Sequence, residues 1–446
     1  MMLRNQLTTT LLILSSFLLI NQSVLCTENT SRHSLAPLDG YLKEARQQDV
    51  ASWITGIRRE LHQYPELMYE EVQTSALIRK TLDSLGIKYK YPLGKTGVAA
   101  TLGTANGPHV ALRADMDALP IAEAVESEFK SKNEGKMHAC GHDGHTSMLL
   151  GAARMLKARE KELKGKVTLV FQPAEEGGAG ARLMMDEGLF ADDKPDFVFG
   201  LHVDPSLETG RVSLTPGTVL ASSGAFIAKI SASGSHAAFP HLTADTIVTA
   251  SAVVGSLQTL IARKLDPLEA GVVSVTMIHG GTALNVLPPE VEIGGTFRSL
   301  TMEGHHKLQQ WIEHTITQQA AVHGCNSSVD FLEDRHPSYP PTVNDAAATA
   351  YARSILEQVV GAENALPGTP WMGAEDFGFF TQRFPSCFFM LGVKKPGTDS
   401  AAKLHTGTFG LDEDALPIGA ALHTALAEQY LKSETERRTS DKREEL

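Results

Sequence analysis

Between residues 137 and 145 the sequence reads MHACGHDGH, which places His138, Cys140, His142, Asp143 and His145 within eight positions. Imidazole, thiolate and carboxylate are the side chains that hold divalent transition metals. Three further places offer the same chemistry. Asp115 and Asp117 follow the apolar run VALRA, Glu175 and Glu176 follow VTLVFQP, and His202 follows DFVFG. Each run reads as a strand, and in parallel sheets ligands gather beyond the carboxyl ends of the strands. The donors exceed one tetrahedral shell, so two ions are expected. A two-metal centre lowers the pKa of a water molecule and clamps the substrate's oxygens. Glu175 and Glu176 are neighbours, and neighbours on an extended backbone point different ways. One carboxylate can then bind metal while the other takes a proton. Taken singly these signals are ordinary, because a lone histidine commonly has a structural role. Their joint placement at strand ends carries the argument.

The elements that must position these residues are legible as periodicities. ASWITGIRRELHQYPEL and EEVQTSALIRKTLDSLG read as helices, the second ended by Gly86. TSMLLGAARMLKAREKEL has apolar residues at 148, 149, 152, 153 and 156, one face of a helix. KVTLVFQ and DFVFGLHV read as strands, and strands alternating with helices predict an α/β fold with a mostly parallel sheet. After Thr215-Pro216-Gly217 the texture changes to strand, helix, strand, strand, helix, strand. That is the ferredoxin-like order. The first pattern resumes near HPSYPPTVND and closes with the helix LPIGAALHTALAEQYL. The expectation is a discontinuous catalytic domain, 48–215 plus 332–432, around an inserted satellite domain, 216–331, with a polar tail at 433–446.

The chain has 446 residues, too many for one ordinary core, with 42% apolar and 21% charged residues. A net charge of −12 argues against nucleic acid as a partner, since phosphate binding needs a basic face. Arg4 followed by LLILSSFLLI (11–20) reads as a signal peptide over 1–26, because the apolar run is too short to form a stable membrane span. The chain ends Arg443-Glu444-Glu445-Leu446, which resembles retention signals of the endoplasmic reticulum. Together these predict the secretory pathway, in the lumen of the reticulum or secreted. Beyond Cys26 only Cys140, Cys325 and Cys387 remain, so no disulfide framework is expected. Asn29 and Asn326 stand in Asn-x-Ser contexts, which are glycosylation acceptors.

RADMDALP, MHACGHDGHTSMLLGAA, FQPAEEGGAGA, FGLHV, GSHAAFPH, GGTALNVLPPEVEIGGTFRSL, GAEDF and LDEDALPIGAALHTALAE occur in this order. The chain thereby resembles the amidohydrolase branch of the bimetallic aminoacylase and carboxypeptidase superfamily, and within it the plant indole-3-acetic-acid–amino-acid hydrolases, over about residues 45–432. The resemblance implies metal ligation by Cys140, His142, Glu176, His202 and His405, with Glu175 as general base and Asp117 orienting a ligand. His138 and His145 are then not ligands. It further implies that His236 stabilises the tetrahedral oxygen, often across a dimer, and that Asn285 and Arg298 hold the substrate's carboxylate. The implied cofactors are two divalent ions, manganese foremost, with zinc or cobalt as alternatives. The implied reaction is hydrolysis of an N-acyl amino acid, releasing auxin if the acyl group is indole-3-acetyl. A jasmonoyl, benzoyl or peptidyl substrate and a non-catalytic lumenal metal-binding protein are the competing readings, and a homodimer is left open. One departure concerns Gly407, where the family carries proline soon after the last ligand, and glycine is expected to loosen that loop.

Overall fold

The computed structural model describes residues 38–398 and 403–444, with side chains to Asp441. The signal peptide, Asn29 and the terminal Arg-Glu-Glu-Leu side chains lie outside the described residues. Asn326 is exposed at the start of a strand.

The chain runs through α1 (Asp39–Ala45), α2 (Gln48–Gln63), α3 (Val72–Ser84), β1 (Lys88–Leu93), β2 (Gly97–Gly103), β3 (His109–Asp115), α4 (His142–Ala158), β4 (Lys166–Gln172), α5 (Gly180–Asp186) and β5 (Phe197–Glu208). It continues through β6 (Val212–Leu214), β7 (Gly217–Leu220), β8 (Ser222–Ser231), β9 (Ser235–His236), α6 (Thr246–Thr259), β10 (Gly271–Gly280), β11 (Val286–Leu287), β12 (Glu290–Ser299), α7 (Met302–Val322) and β13 (Asn326–Asp330). It ends with β14 (Thr342–Asn344), α8 (Ala346–Val360), β15 (Ala365–Pro367), α9 (Gly378–Thr381), β16 (Ser386–Lys394) and α10 (Ala415–Glu444).

The larger sheet has the order β1-β2-β4-β3-β5-β16-β6-β15. Its centre, β4-β3-β5-β16, is parallel, while β1, β2 and the β16–β6 pair are antiparallel. The central strands are buried on both faces, as continuous apolar runs such as VTLVF require. Helix α4 corrects the one-face reading of its sequence, because every residue from His142 to Ala153 is buried. It is enclosed by the sheet, α2 and α10, and a Cβ on Gly151 would lie 2.7 Å from Ile54 and 2.8 Å from Ala420. Small residues on its outer side admit those helices, so the apolar stripe alone understates the burial.

The second sheet, β10-β12-β8-β13, is antiparallel throughout. With α6 and α7 against it, the chain order β8-α6-β10-β12-α7-β13 gives the ferredoxin-like arrangement. Its core contains Phe226, Ile230, Val253, Ile293, Phe297 and Ile312. By length and composition, Thr246–Lys264 could cross a membrane. It lies instead on this sheet, with Ala250, Val253, Leu257 and Leu260 buried.

Candidate metal centre

The donors converge because five chain segments meet at one edge of the larger sheet. Strand β3 stops at Asp115, and β4 stops at Gln172 before the loop carrying Glu175 and Glu176. His202 is not at a strand exit, as its sequence suggests, but inside β5, which continues to Glu208 by pairing with β16. Pairing with β3 ends at Arg113 and Gly200, so His202 lies two residues beyond the last pair, near Asp115 at the end of β3. Between Cys140 and His142 stands Gly141, with φ of 90°, a left-handed turn that L side chains rarely adopt. It turns the chain sharply into α4, with the thiol and the imidazole on either side of the turn.

Cys140 Sγ lies 3.3 Å from His202 Nε2 and 3.3 Å from His405 Nε2. His405 Nε2 is in turn 3.2 Å from Glu176 Oε1. Cys140, His142 and His202 form one donor group and Cys140, Glu176 and His405 another, with ligand atoms in each within 4.8 Å of one another. Cys140 belongs to both groups, so its thiol would be available to an ion held by either set. Among the described residues, buried His142 Nε2 has no hydrogen-bond partner, and Glu176 Oε1 faces only His405 Nε2, itself a candidate ligand. Buried polar atoms are almost always satisfied, and an orphaned imidazole nitrogen beside a thiol, a carboxylate and two further imidazoles fits a divalent cation. The other nitrogen of His142 faces Asp117 Oδ1 at 3.2 Å, the carboxylate–histidine arrangement that orients ligands. Burial alone would lower the pKa of His142, but Asp115 and Asp117 outweigh it and raise it to about 10. Burial holds His202 down at about 4, so it is neutral and able to ligate at neutral pH.

The remaining candidates of the opening cluster have other partners. His145 Nδ1 donates to Asp115 Oδ1 at 2.6 Å, and its Nε2 accepts from the backbone of Val203 at 3.0 Å. With both nitrogens used, it offers no lone pair. Asp115, His142 and His145 are close enough to form a donor group of their own, but Arg113 and His145 already occupy both Asp115 oxygens. Asp143 pairs with Arg58 Nε at 2.8 Å and His62 Nδ1 at 2.7 Å behind the loop. His138 is buried there, with neither ring nitrogen hydrogen-bonded among the described residues.

Glu175 is buried at the cleft floor, and burial followed by the charges of Glu375, Glu176 and Asp376 holds its carboxyl well above the usual range. Its backbone N–H and that of Glu176 donate to the two oxygens of Asp117, at 3.1 and 3.0 Å. Gly407 does not loosen the last ligand's loop. Its carbonyl accepts from Ala124 N at 2.7 Å, and a Cβ there would lie 2.4 Å from Ala122 O. His405 N also donates to Ala139 O at 2.9 Å, and φ of 58° at His405 is a left-handed backbone held by these contacts.

The cluster opens into a cleft of about 390 Å³ that spans both sheets. Its apolar wall comes from Leu220, Trp371, Met390 and Leu404, and Arg298 lines the side formed by β12. Among the described residues Arg298 has no carboxylate partner, and burial is the cause of its lowered pKa. His236 and Asn285 do not line this cleft. His236 is exposed on β9, paired with β11 across the satellite surface.

Sequence reasoning passed over Arg113, Glu375 and Asp376. Arg113 is fully buried, donating to Asp115 at 2.8 Å, Glu375 at 2.8 Å and Asp376 at 3.0 Å. The signal was an arginine inside the apolar run VALRA, since a charge in a buried strand requires partners. The acid pair of GAEDF was its complement.

A parallel α/β sheet with a ferredoxin-like insert and a thiol–imidazole–carboxylate cluster at its edge defines a metal-dependent hydrolase. The family model for peptidase family M20/M25/M40 matches residues 111–429, and the chain belongs to that family. It is 48% identical to IAA-amino acid hydrolase ILR1-like 4 of Arabidopsis thaliana over 391 residues, covering 88% of each chain. It is 38% identical to N-acetyl-L-cysteine deacetylase of Bacillus subtilis over 87% of this chain and 90% of that protein. The crystal structure of the Bacillus subtilis YXEP protein, described as a dinuclear metal binding peptidase from the M20 family, superposes with a TM-score of 0.74 at 31% identity, covering 86% of this chain and 99% of that one. The chain is thus a metal-dependent amidohydrolase.

Proposed function

We propose that the chain hydrolyses the amide bond of N-acyl amino acids, with indole-3-acetyl–amino acid conjugates as its substrates. The observation that carries this reading is the unpaired, half-buried Arg298 in the same cleft as the donor cluster. A guanidinium without a protein carboxylate suits the free carboxylate of a small amino-acid product. The wall of Leu220, Trp371, Met390 and Leu404 suits a flat apolar acyl group. Divalent ions held by Cys140, His142, Glu176, His202 and His405 would supply Lewis acidity and lower the pKa of water. Manganese is the ion proposed, on the strength of the resemblance, and zinc and cobalt are the alternatives the thiol invites. Glu175 takes the proton of the attacking water and returns it to the leaving nitrogen. Asp117 keeps His142 in place. His236 and Asn285, exposed and off this cleft, would serve the substrate from a second copy of the chain, so the working form is a homodimer. The apolar N-terminal run and the terminal Arg-Glu-Glu-Leu support a reading of this enzyme as one of the secretory pathway, in the lumen of the endoplasmic reticulum or else secreted.

A panel of acyl–amino acids, with indole-3-acetyl, jasmonoyl, benzoyl and peptidyl members, run with Mn²⁺, Zn²⁺ and Co²⁺ in turn, tests this reading. Indole-3-acetyl conjugates should give the highest kcat/KM. Glu175→Gln should keep its metal while turnover falls at least ~100-fold. Equal turnover by wild type and variant would remove Glu175 from the mechanism, and failure on every substrate with every metal would favour a non-catalytic lumenal protein.

A further inference from the structure

Loop 174–179 carries both Glu175 and Glu176, yet its own backbone is unfavourable. Ala174 and Ala179 both have φ of 55°, in the left-handed region that costs L-residues energy and persists only where surroundings enforce it. Three side chains do the enforcing. Glu71 accepts from Ala174 N at 2.9 Å, and Asp117 accepts from Glu175 N and Glu176 N. The third is Tyr339. Its hydroxyl donates to Glu175 O at 2.6 Å and accepts from Gly177 N at 2.9 Å and Ala179 N at 3.1 Å. One donor and two acceptors fill the capacity of a phenol. Gly177 N is shared with Glu175 O at 2.7 Å, whereas Ala179 N has no other acceptor among the described residues.

Tyr339 is also tied in the opposite direction. Its backbone pairs with Ser223 both ways, N–H to O at 2.9 and 3.0 Å. Ser223 lies in β8 directly opposite Arg298 of β12. Pro340 and Pro341 follow Tyr339 and fix the backbone that carries it. The ring is buried and packs edge-on against Phe379, with centroids 6.0 Å apart. One residue therefore joins the loop bearing the base and a ligand to the strand pair bearing the unpaired arginine.

We propose that Tyr339 is a positioning residue that sets the Glu175–Glu176 loop and fixes its distance from the carboxylate-binding arginine across the cleft. The proposal rests on the reading of Glu175 as base and Arg298 as carboxylate clamp. Tyr339 lines the cleft, but its hydroxyl is fully engaged by the loop backbone and not free for substrate. It acts by holding the carbonyl and amides around Glu175, so its loss should misplace the base after substrate has bound. Misplacements on the scale of 1 Å cost about 100-fold in rate.

Tyr339→Phe keeps the ring and removes only the hydroxyl. The expected result is a kcat lowered ~10–100-fold with KM changed less than about threefold. By hydrogen exchange, the amide of Ala179 should open at least ~10-fold faster while amides of β4 and α4 stay protected. In the double variant with Glu175→Gln, the second substitution should add less than about twofold, because both act through one group. Wild-type kcat in Tyr339→Phe, unchanged exchange at Ala179, or multiplicative losses in the double variant would each overturn the proposal. Should Glu175→Gln stay fully active while Tyr339→Phe loses turnover and loop protection, the base assignment fails and the positioning role stands. Should the variant not fold, the native enzyme still decides. Slow exchange at Ala179, whose amide has the phenol as its acceptor, supports the proposal, and exchange at the rate of an open loop overturns it.

Discussion

Gly141 shows how much of the centre depends on one backbone angle. Its φ of 90° turns the chain between two donors, and a Cβ there would lie 2.6 Å from Val203 Cγ2. Gly141→Ala therefore meets two penalties, about 1–2 kcal/mol for the left-handed backbone and a clash with a buried strand. Relief must come from shifting Cys140 and His142, so affinity for Mn²⁺ or Zn²⁺ should fall ~10–100-fold in competition with a chelating dye. Gly135→Ala is the matched control. Gly135 has φ of 73° but nothing within 4 Å of its Cβ position, so it pays the backbone cost alone. Equal metal affinities for the two alanine variants would show that the turn does not place the donors. At this scale the loop's mixed donors pointed to a metal centre, but not to which of them meet, because His145 and Asp143 are taken up by Asp115, Val203, Arg58 and His62. The sequence was a poor guide to Gly407, because the need for a missing Cβ is set by Ala122, a residue nearly three hundred positions away.

At the scale of elements, periodicity revealed what was long and regular and missed what was short. The helices α2, α4 and α7 and the strands β3, β4, β8 and β12 announce themselves by apolar spacing. The strands β1, β6, β7, β14 and β15 do not, because three to six residues such as KYKYPL or VSL carry too little pattern and are strands only through pairing with distant partners. The exit of β5 was misplaced for the same reason, since its extension is set by β16. Strand β3 shows an opposite kind of hidden order. Arg113 sits fully buried within it, and its guanidinium holds Asp115, Glu375 and Asp376 while Nε donates to Gln172 at 2.8 Å. Removing one partner of a buried charge set leaves the others uncompensated, at a cost of about 3–5 kcal/mol. Arg113→Met should lower the unfolding free energy by that amount in denaturant titrations of the metal-stripped protein. Arg113→Lys keeps the charge but lacks the fork needed to reach the partners together, so it should fall between wild type and Met. A methionine variant as stable as wild type would mean that these acids are neutral in the fold.

For the whole molecule, the pH dependence of stability is a contest between buried groups of opposite sign. Burial lowers His423 to about 3 and His305 to about 4. An unfolded chain protonates such histidines near 6.5, so the unfolded state binds more protons below that pH, and stability falls as pH falls from about 6.5 towards 3–4. Glu71 works the other way. Burial, then the charge of Asp117, raises it to about 7, so the folded state binds the extra proton and stability rises as pH falls from about 7 to 4.5. The two effects oppose each other between about 4.5 and 6.5, and below that window the histidines act unopposed. His423 isolates one side of the contest. It is fully buried in α10, neither ring nitrogen has a hydrogen-bond partner among the described residues, and it lies among leucines and alanines of the main core. His423→Leu removes a group that refuses its proton and replaces it with one that needs none. Between pH 8 and pH 5 the stability of the variant relative to wild type should therefore grow by about 2 kcal/mol, from 1.36 kcal/mol per pKa unit over the part of the window crossed. Taking the difference cancels the pH dependence of the metal centre and of Glu71, which both proteins share. Denaturant unfolding at the two pH values measures it, and a difference that stays constant would place the proton of His423 in the folded state as well as the unfolded one.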